Sequence, residues 1–358
     1  MPSSCFVRHE NLGRRVVNIQ EAIIHGVIKE KDTSGIENVE IKPRLKPLLI
    51  DERLKKLGYE ILKLYGKLAN GYGTLGDDAD VDRFPKYMET YVDGQTDFIQ
   101  FSQNTIKVIA ETMSQQRLTT TSYPIFFRYS NLGCDWLLIA VLKLKEGVGI
   151  DESTLDLNDS LSFDISDLRE AARINIEKWK GDEQPYLSFI KRGAGSDSES
   201  SRYFRNALSC LDYTDAKHNT DVAVKAMDDY FEYKQYDAKT RQELRSRMYD
   251  YCKEKKDKDE PVNLISLSSM LNDQEPASFR DFVRENDYEV SDTFSPSPQS
   301  YKKLQRISKR FGTINLGFDV ADIVSERIYY NKDDGSIVVR NPPAELVHDI
   351  KTAQGVDT

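Results

Sequence analysis

The chain has 358 residues, 39% apolar and 30% charged, and carries a net charge of −9. That length supports two or three domains with real cores, and 19 tyrosines with 15 phenylalanines exclude a disordered chain. The acidic sum excludes a uniformly basic surface of the kind that coats a polyanion, but not a basic face on an acidic body.

In chain order, "NIQEAIIHGVIK" (residues 18–29) is rich in Ile and Val and predicts a strand. After a loop holding Pro43 and Pro47, "DERLKKLGYEILKLYGKLAN" places Leu54, Leu57, Ile61, Leu64 and Leu68 on one helical face. "DFIQFSQNTIKVIAETM" predicts a second amphipathic helix, with Phe98, Phe101, Val108 and Ile109 inward. From Tyr123 the period changes. "YPIFFRY", "CDWLLIAVLKLK", "AARINIEKWK" and "PYLSFIKR" predict successive strands of an antiparallel sheet that carries the two helices. The longest apolar run, Cys134 to Leu144, is too short to span a bilayer.

"GAGSDSESS" (193–201) reads as a hinge or exposed loop. Helical stripes follow. Tyr203, Phe204, Ala207, Leu208 and Leu211 make the first, and Met227, Tyr230 and Phe231 the second. Leu244, Met248, Tyr251 and Cys252 make the third, and Phe279, Phe282 and Val283 a short fourth. "KEKKDKDEP" is a solvated charge run before a turn. A second spacer, "SDTFSPSPQS", precedes a piece of different character: "TINLGFDV" alternates Ile314, Leu316, Phe318 and Val320, and "RIYYNKDDGSIVVRN" has a hairpin signature at Asp334-Gly335. The expected class is α+β. An N-terminal antiparallel sheet with packed helices occupies 1–195, a helical region 196–295, and a small C-terminal β-rich domain with a basic segment 296–358.

Motifs for chemistry are sparse. Gly71, Gly73 and Gly76 have G-x-G-x-x-G spacing, which cradles a phosphate only between a strand and an opening helix. Here a helix precedes them, and Asp77, Asp78, Asp80 and Asp82 follow and would repel a phosphate. Glycines that end the helix and turn the chain are the simpler account. Asp78, Asp80, Asp82 and Glu89 fall at calcium-loop ligand spacing, but the residue where the sharp turn needs glycine is Arg83. His9, His25, His218 and His348 are isolated, and no HExxH, GxSxG or Walker loop occurs. Cys5, Cys134, Cys210 and Cys252 form no CxxC pair, which suits free or buried thiols in a reducing cytoplasm. The start "MPSSCFVRHENLGRR" lacks the apolar core of a secretory signal. The expectation is a cytoplasmic protein with no metal, no cofactor and no membrane contact.

One stretch stands out electrostatically. "YKKLQRISKRFG" (301–312) carries Lys302, Lys303, Arg306, Lys309 and Arg310 and no acid. As a helix it turns Leu304, Ile307 and Phe311 inward; as a strand it aligns Lys302, Arg306 and Arg310 on one face. Periodicity leaves both open. Either arrangement gathers cations whose contact with phosphates releases counterions. Lys191 and Arg192, in "FIKRG", join them as candidate DNA contacts.

Four collinear stretches carry a family resemblance. They are "IQEAIIHGVI", "FFRYSNLGCDWLLIAVLKLKEGVGID", "FDISDLREAARINIEKWKGDEQPYLSFIKRGAG" and "INLGFDVADIVSERIYYNKDDGSIVVRNPP". The third holds Ala172, Arg173, Trp179, Tyr186, Leu187, Phe189 and Lys191 in order and spacing. Together they resemble the bacterial nucleoid-associated protein family, from about Ile19 to Pro343. The resemblance implies a nucleoid protein that binds double-stranded DNA without enzymatic activity, and it transfers no DNA-contact residue. Two departures stand out. Residues 1–17 precede the family's usual start, and the loop after "YLSFIK", basic in the family, reads "RGAGSDSESS" here.

Three readings follow. The first is a non-enzymatic, nucleoid-located protein that binds duplex DNA with low sequence specificity through a basic face, and a homodimer would double that face. The second is an acidic adaptor that docks on DNA-processing enzymes such as topoisomerases or nucleases. The third is an enzyme without a recognisable motif.

Overall fold

The alternating segments of the first 215 residues assemble one antiparallel sheet with helices on both faces. The computed structural model of the protein describes residues 17–356 other than 79, 132, 152 and 192–198, with backbone alone for 199–201. Cys5, His9, Arg192 and most of the 193–201 spacer therefore lie outside the described residues.

The strand expected at 18–29 is two: β1 (Asn18–Ile24) and β2 (Gly26–Lys29), the latter paired with β3 (Val39–Lys42). His25 marks the break. Its Nδ1 accepts the Arg44 N–H, so the neutral ring carries its proton on Nε2 and donates to Ser102 Oγ, each at 3.0 Å. Helix α1 (Glu52–Leu68) starts where Asp51 accepts the Leu54 N–H at 2.9 Å. Strand β4 (Gly71–Leu75) and helix α2 (Arg83–Val92) follow, then α3 (Phe98–Ser114), capped by Asp97. Pro85 sits in the first turn of α2, where no backbone N–H is required.

Strands β5 (Tyr123–Asn131) and β6 (Cys134–Leu142) form the sheet's longest pair. They lead into a separate two-stranded ribbon, β7 (Leu144–Ile150) with β8 (Leu157–Phe163). The chain returns through β9 (Glu170–Asn175), the short helix α4 (Ile176–Lys180) and β10 (Leu187–Phe189), then α5 (Glu199–Ala207) and β11 (Cys210–Asp212). The sheet order is β1-β5-β6-β9-β10-β4-β11. Ile125, Phe127, Tyr129 and Leu138 pack under α1, while Phe126, Leu137 and Ile139 pack under α3 with α2 and α5 beside it. Because both faces are covered, β5 and β6 read as unbroken apolar runs.

A second unit holds α6 (Ala216–Tyr233), α7 (Ala238–Asp257), β12 (Val262–Asn263) and α8 (Leu264–Leu271). Helix α9 (Ser278–Glu285) carries the chain back, so that Arg280–Asp292 belongs to the first unit. The second resumes with β13 (Thr293–Phe294), α10 (Pro298–Tyr301), β14 (Arg306–Phe311), β15 (Ile314–Asp319), α11 (Val320–Val324), β16 (Ile328–Tyr330), β17 (Ile337–Val339) and α12 (Ala344–Gln354). Its core gathers Met227, Tyr230, Phe231, Leu244, Met248, Cys252 and Phe279. Tyr230 meets Phe279 edge-on at 5.4 Å. The α+β class and the β-rich C-terminal piece are as expected. Cys210 and Cys252 are free thiols that burial pushes up to about 12. Cys134 is disulfide-bonded, which corrects the free-thiol expectation there.

Arg173 lies on the α1 side of β9, its guanidinium 4.4 Å from the Trp136 ring centroid and 5.5 Å from that of Tyr65. Burial alone would lower its pKa; the Asp287 carboxylate, 3.3 Å away, and the Tyr129, Tyr65 and Tyr72 hydroxyls together outweigh this and keep it charged. Two further contacts hold the returning segment to the rest of the first unit. Lys178 pairs with Glu289 at 2.8 Å, and Arg284, itself paired with Asp292 inside the segment at 2.7 Å, donates to the Lys67 carbonyl at 2.7 Å.

Asp287→Asn keeps a residue that tolerates the local left-handed backbone (φ 52°) but strands the Arg173 charge. It should destabilise by about 1–3 kcal/mol, less than for a fully buried pair because the Asp287 side chain is a third exposed, and adding Arg173→Met should recover much of that loss in urea denaturation. His25 gives a pH dependence. Burial lowers its pKa from 6.5 to about 4, so the unfolded chain takes up the proton first. Its contribution is present above pH 6.5 and lost as pH falls towards 4, by up to about 3 kcal/mol. Thermal melts across this window should fall more steeply for the wild type than for His25→Gln.

Candidate nucleic-acid interface

The basic segment resolves into three pieces. Tyr301, buried, closes α10; Lys302 and Lys303 stand in a 3-10 turn pinned by buried Leu304; Arg306, Lys309 and Arg310 lie on β14. The strand alternative therefore holds from Arg306 onward. β14 folds back on β15 through Gly312 (φ 58°) and Thr313. Register then assigns two faces. Arg306, Ser308 and Arg310 share one with Asp319, Gly317 and Asn315; Ile307, Lys309 and Phe311 share the other with Phe318, Leu316 and Ile314. All six β14 residues are exposed. Bare Gly317 leaves room for the Arg306 guanidinium, since a Cβ there would meet its Nη2 at 3.3 Å.

Charge pairing divides the candidates. Lys303 pairs with Asp221 at 2.9 Å, and Asp221 also holds Lys217 at 3.4 Å. Partial burial alone would raise the Asp221 pKa; hydrogen bonds, that from Lys303 foremost, keep it below the usual carboxylate range. Lys191 belongs to the first unit and pairs with Asp212 at 2.9 Å. Arg192 lies outside the described residues. Among those described, Lys302, Arg306, Lys309 and Arg310 have no carboxylate within ion-pair reach. Arg306 and Arg310 point the same way, Lys309 the opposite way. Sequence reasoning did not find Ser308, Asn315 and Gly317 beside the two arginines. The signal was there: Phe311-Gly312-Thr313-Ile314 joins two alternating runs, as a hairpin turn does.

The glycine motif lies elsewhere and serves packing. The expectation that these glycines end the helix and turn the chain is corrected: Gly71 and Gly73 lie within β4, between β10 and β11. A Cβ at Gly71 would meet the Phe189 ring at 2.5 Å, and one at Gly73 the Leu211 carbonyl oxygen at 2.0 Å. The acidic loop beyond bonds to itself: Asp82 accepts the Asp78 N–H and Asp78 accepts that of Asp80, each at 3.0 Å. Glu89 is carried away inside α2.

Comparison with known proteins bears on the whole chain. The pattern of the family described as "Nucleoid-associated protein YejK" matches residues 23–347. A nucleoid-associated protein of Pseudomonas aeruginosa is 27% identical over 335 residues, which cover 93% of this chain and 97% of that relative. One of Shewanella pealeana is 25% identical over 337 residues, 92% of this chain and 96% of the relative.

The close packing behind β4 can be tested directly. Gly73→Ala should cost about 1–3 kcal/mol by overpacking, read as a lower denaturation midpoint, whereas Gly66→Ala on α1, with nothing within 4 Å of its Cβ, should be neutral or stabilising.

Proposed function

Since the chain belongs to the nucleoid-associated protein YejK family, we propose that it is a non-enzymatic nucleoid protein that binds duplex DNA directly, through the β14–β15 ribbon. One observation carries this reading: Arg306 and Arg310 project from one exposed face of the ribbon with no carboxylate partner among the described residues. A two-stranded ribbon is of a size that the DNA major groove admits. Guanidiniums match phosphate oxygens in a planar fork, and Lys302 extends the positive surface into the preceding turn. Ser308 and Asn315 supply neutral hydrogen-bonding groups. Contacts of this kind position a duplex more than they read it, so sequence preference is low. Lys309 and Arg310 stand next to the Gly312 tip, and at the base the one carboxylate, Asp319, stands opposite Arg306.

A second reading has its own observation. Lys191 and Lys303 are already neutralised by carboxylates, and the chain as a whole is acidic. An adaptor that docks on a basic DNA-processing enzyme would look the same, and its contact with DNA would be indirect.

Filter binding across a salt series separates the two. Direct contact makes log affinity fall with log salt by about 0.9 for each phosphate neutralised. Lys302→Glu/Arg306→Glu/Arg310→Glu, all at exposed positions, should abolish retention at moderate salt. Unchanged binding by this variant would remove the ribbon from the interface. Purified protein that ignores DNA yet retains a topoisomerase or nuclease would establish the adaptor.

A further inference from the structure

Two of the two-stranded ribbons, β7–β8 and β14–β15, carry opposite charge on otherwise apolar faces. In β7–β8, register places Val148, Ile150, Leu157 and Leu161 on one face with Glu146 and Asp159. Val148, Leu157 and Leu161 are 72%, 76% and 67% exposed. Asp151 and Asp156 add acid at the tip. In β14–β15 the face turned away from Arg306 and Arg310 holds Ile307, Phe311, Ile314, Leu316 and Phe318 around Lys309. Phe311 and Ile314 are 55% and 54% exposed. A lone hairpin with an uncovered apolar face is marginal in water, and apolar patches of this kind mark interaction sites.

We propose that these two faces dock on one another between two copies of the chain, the β7–β8 arm of one protomer on the apolar face of the partner's β14–β15 ribbon. Charge decides the pairing. Arm on arm would oppose Glu146 and Asp159 to their own copies, and ribbon on ribbon would oppose Lys309 to Lys309; both leave like charges facing in a desolvated contact. Arm on ribbon sets Lys309 between two carboxylates and covers both apolar faces. A single ribbon face, about 20 Å long by its seven residue pairs, is smaller than the roughly 800 Å² per partner of a standard interface. Two-fold symmetry repeats the contact and doubles it. The inference does not rest on DNA binding, because Arg306 and Arg310 remain on the opposite, uncovered face.

Sedimentation of the full chain without DNA tests it. The wild type should dimerise. Leu157→Ser/Leu161→Ser should raise the dissociation constant by roughly 30-fold or more, as loss of a hot-spot contact does. The charge variants Glu146→Lys/Asp159→Lys and Lys309→Glu should each be monomeric alone, and mixing them should restore the dimer, since each then meets an opposite charge at both contacts. Recovery on mixing is an outcome that misfolding cannot produce. A wild type that stays monomeric at all concentrations, a dimer indifferent to Leu157→Ser/Leu161→Ser, or charge variants that fail to associate when mixed would overturn the proposal.

Discussion

The first unit is organised around one buried charge. Arg173 stands on β9 beneath α1, between the rings of Trp136 and Tyr65, where little of it reaches water. An unpaired guanidinium there would cost several kcal/mol. Its counter-ion, Asp287, comes from 114 residues further on. The chain must therefore leave the first unit after Asp215, build α6 to α8, and come back before it can finish. Lys178 with Glu289, and Arg284 with the Lys67 carbonyl, fasten the same returning segment. The discontinuity of the first unit is in this sense the answer to an electrostatic problem set at Arg173.

Much of the first unit was legible because its signals are local. The i, i+3, i+4 leucines of α1 and the apolar stripe of Phe98, Phe101, Val108 and Ile109 on α3 predict those helices. The apolar runs of β5 and β6 show strands buried on both sides. What escaped was decided at longer range. The glycines of β4 look like a turn in sequence, because the crowding that requires them comes from Phe189 and from Leu211, on strands far along the chain. His25 interrupts a run that reads as one strand, and its partners, Arg44 and Ser102, are equally distant. The return of 280–292 left no trace, since Asp287 resembles any other surface aspartate until Arg173 is placed beside it.

The basic segment shows the same division. Its cations were evident from composition; their sides were not. Once β15 is paired with β14, the alternation separates Arg306 and Arg310 from Lys309, and five similar charges acquire four situations. Two arginines share a polar face, Lys309 sits among apolar side chains, Lys303 is quenched by Asp221, and Lys302 stands exposed in the turn before the strand. Local charge on a negative molecule is therefore a matter of strand pairing as much as of composition, and the net charge says little about what the protein attracts.

The discontinuous first unit also bears on how the chain is made. Synthesis runs from the amino end, and domains generally fold as they emerge. Here every strand of the sheet is available once Asp212 has been added, yet the carboxylate that completes its interior arrives 75 positions later. During that interval a nascent chain holds an assembled set of strands with an uncompensated cation at its centre. The sheet can close fully only once Asp287 has itself cleared the ribosome, with α6 to α8 ahead of it.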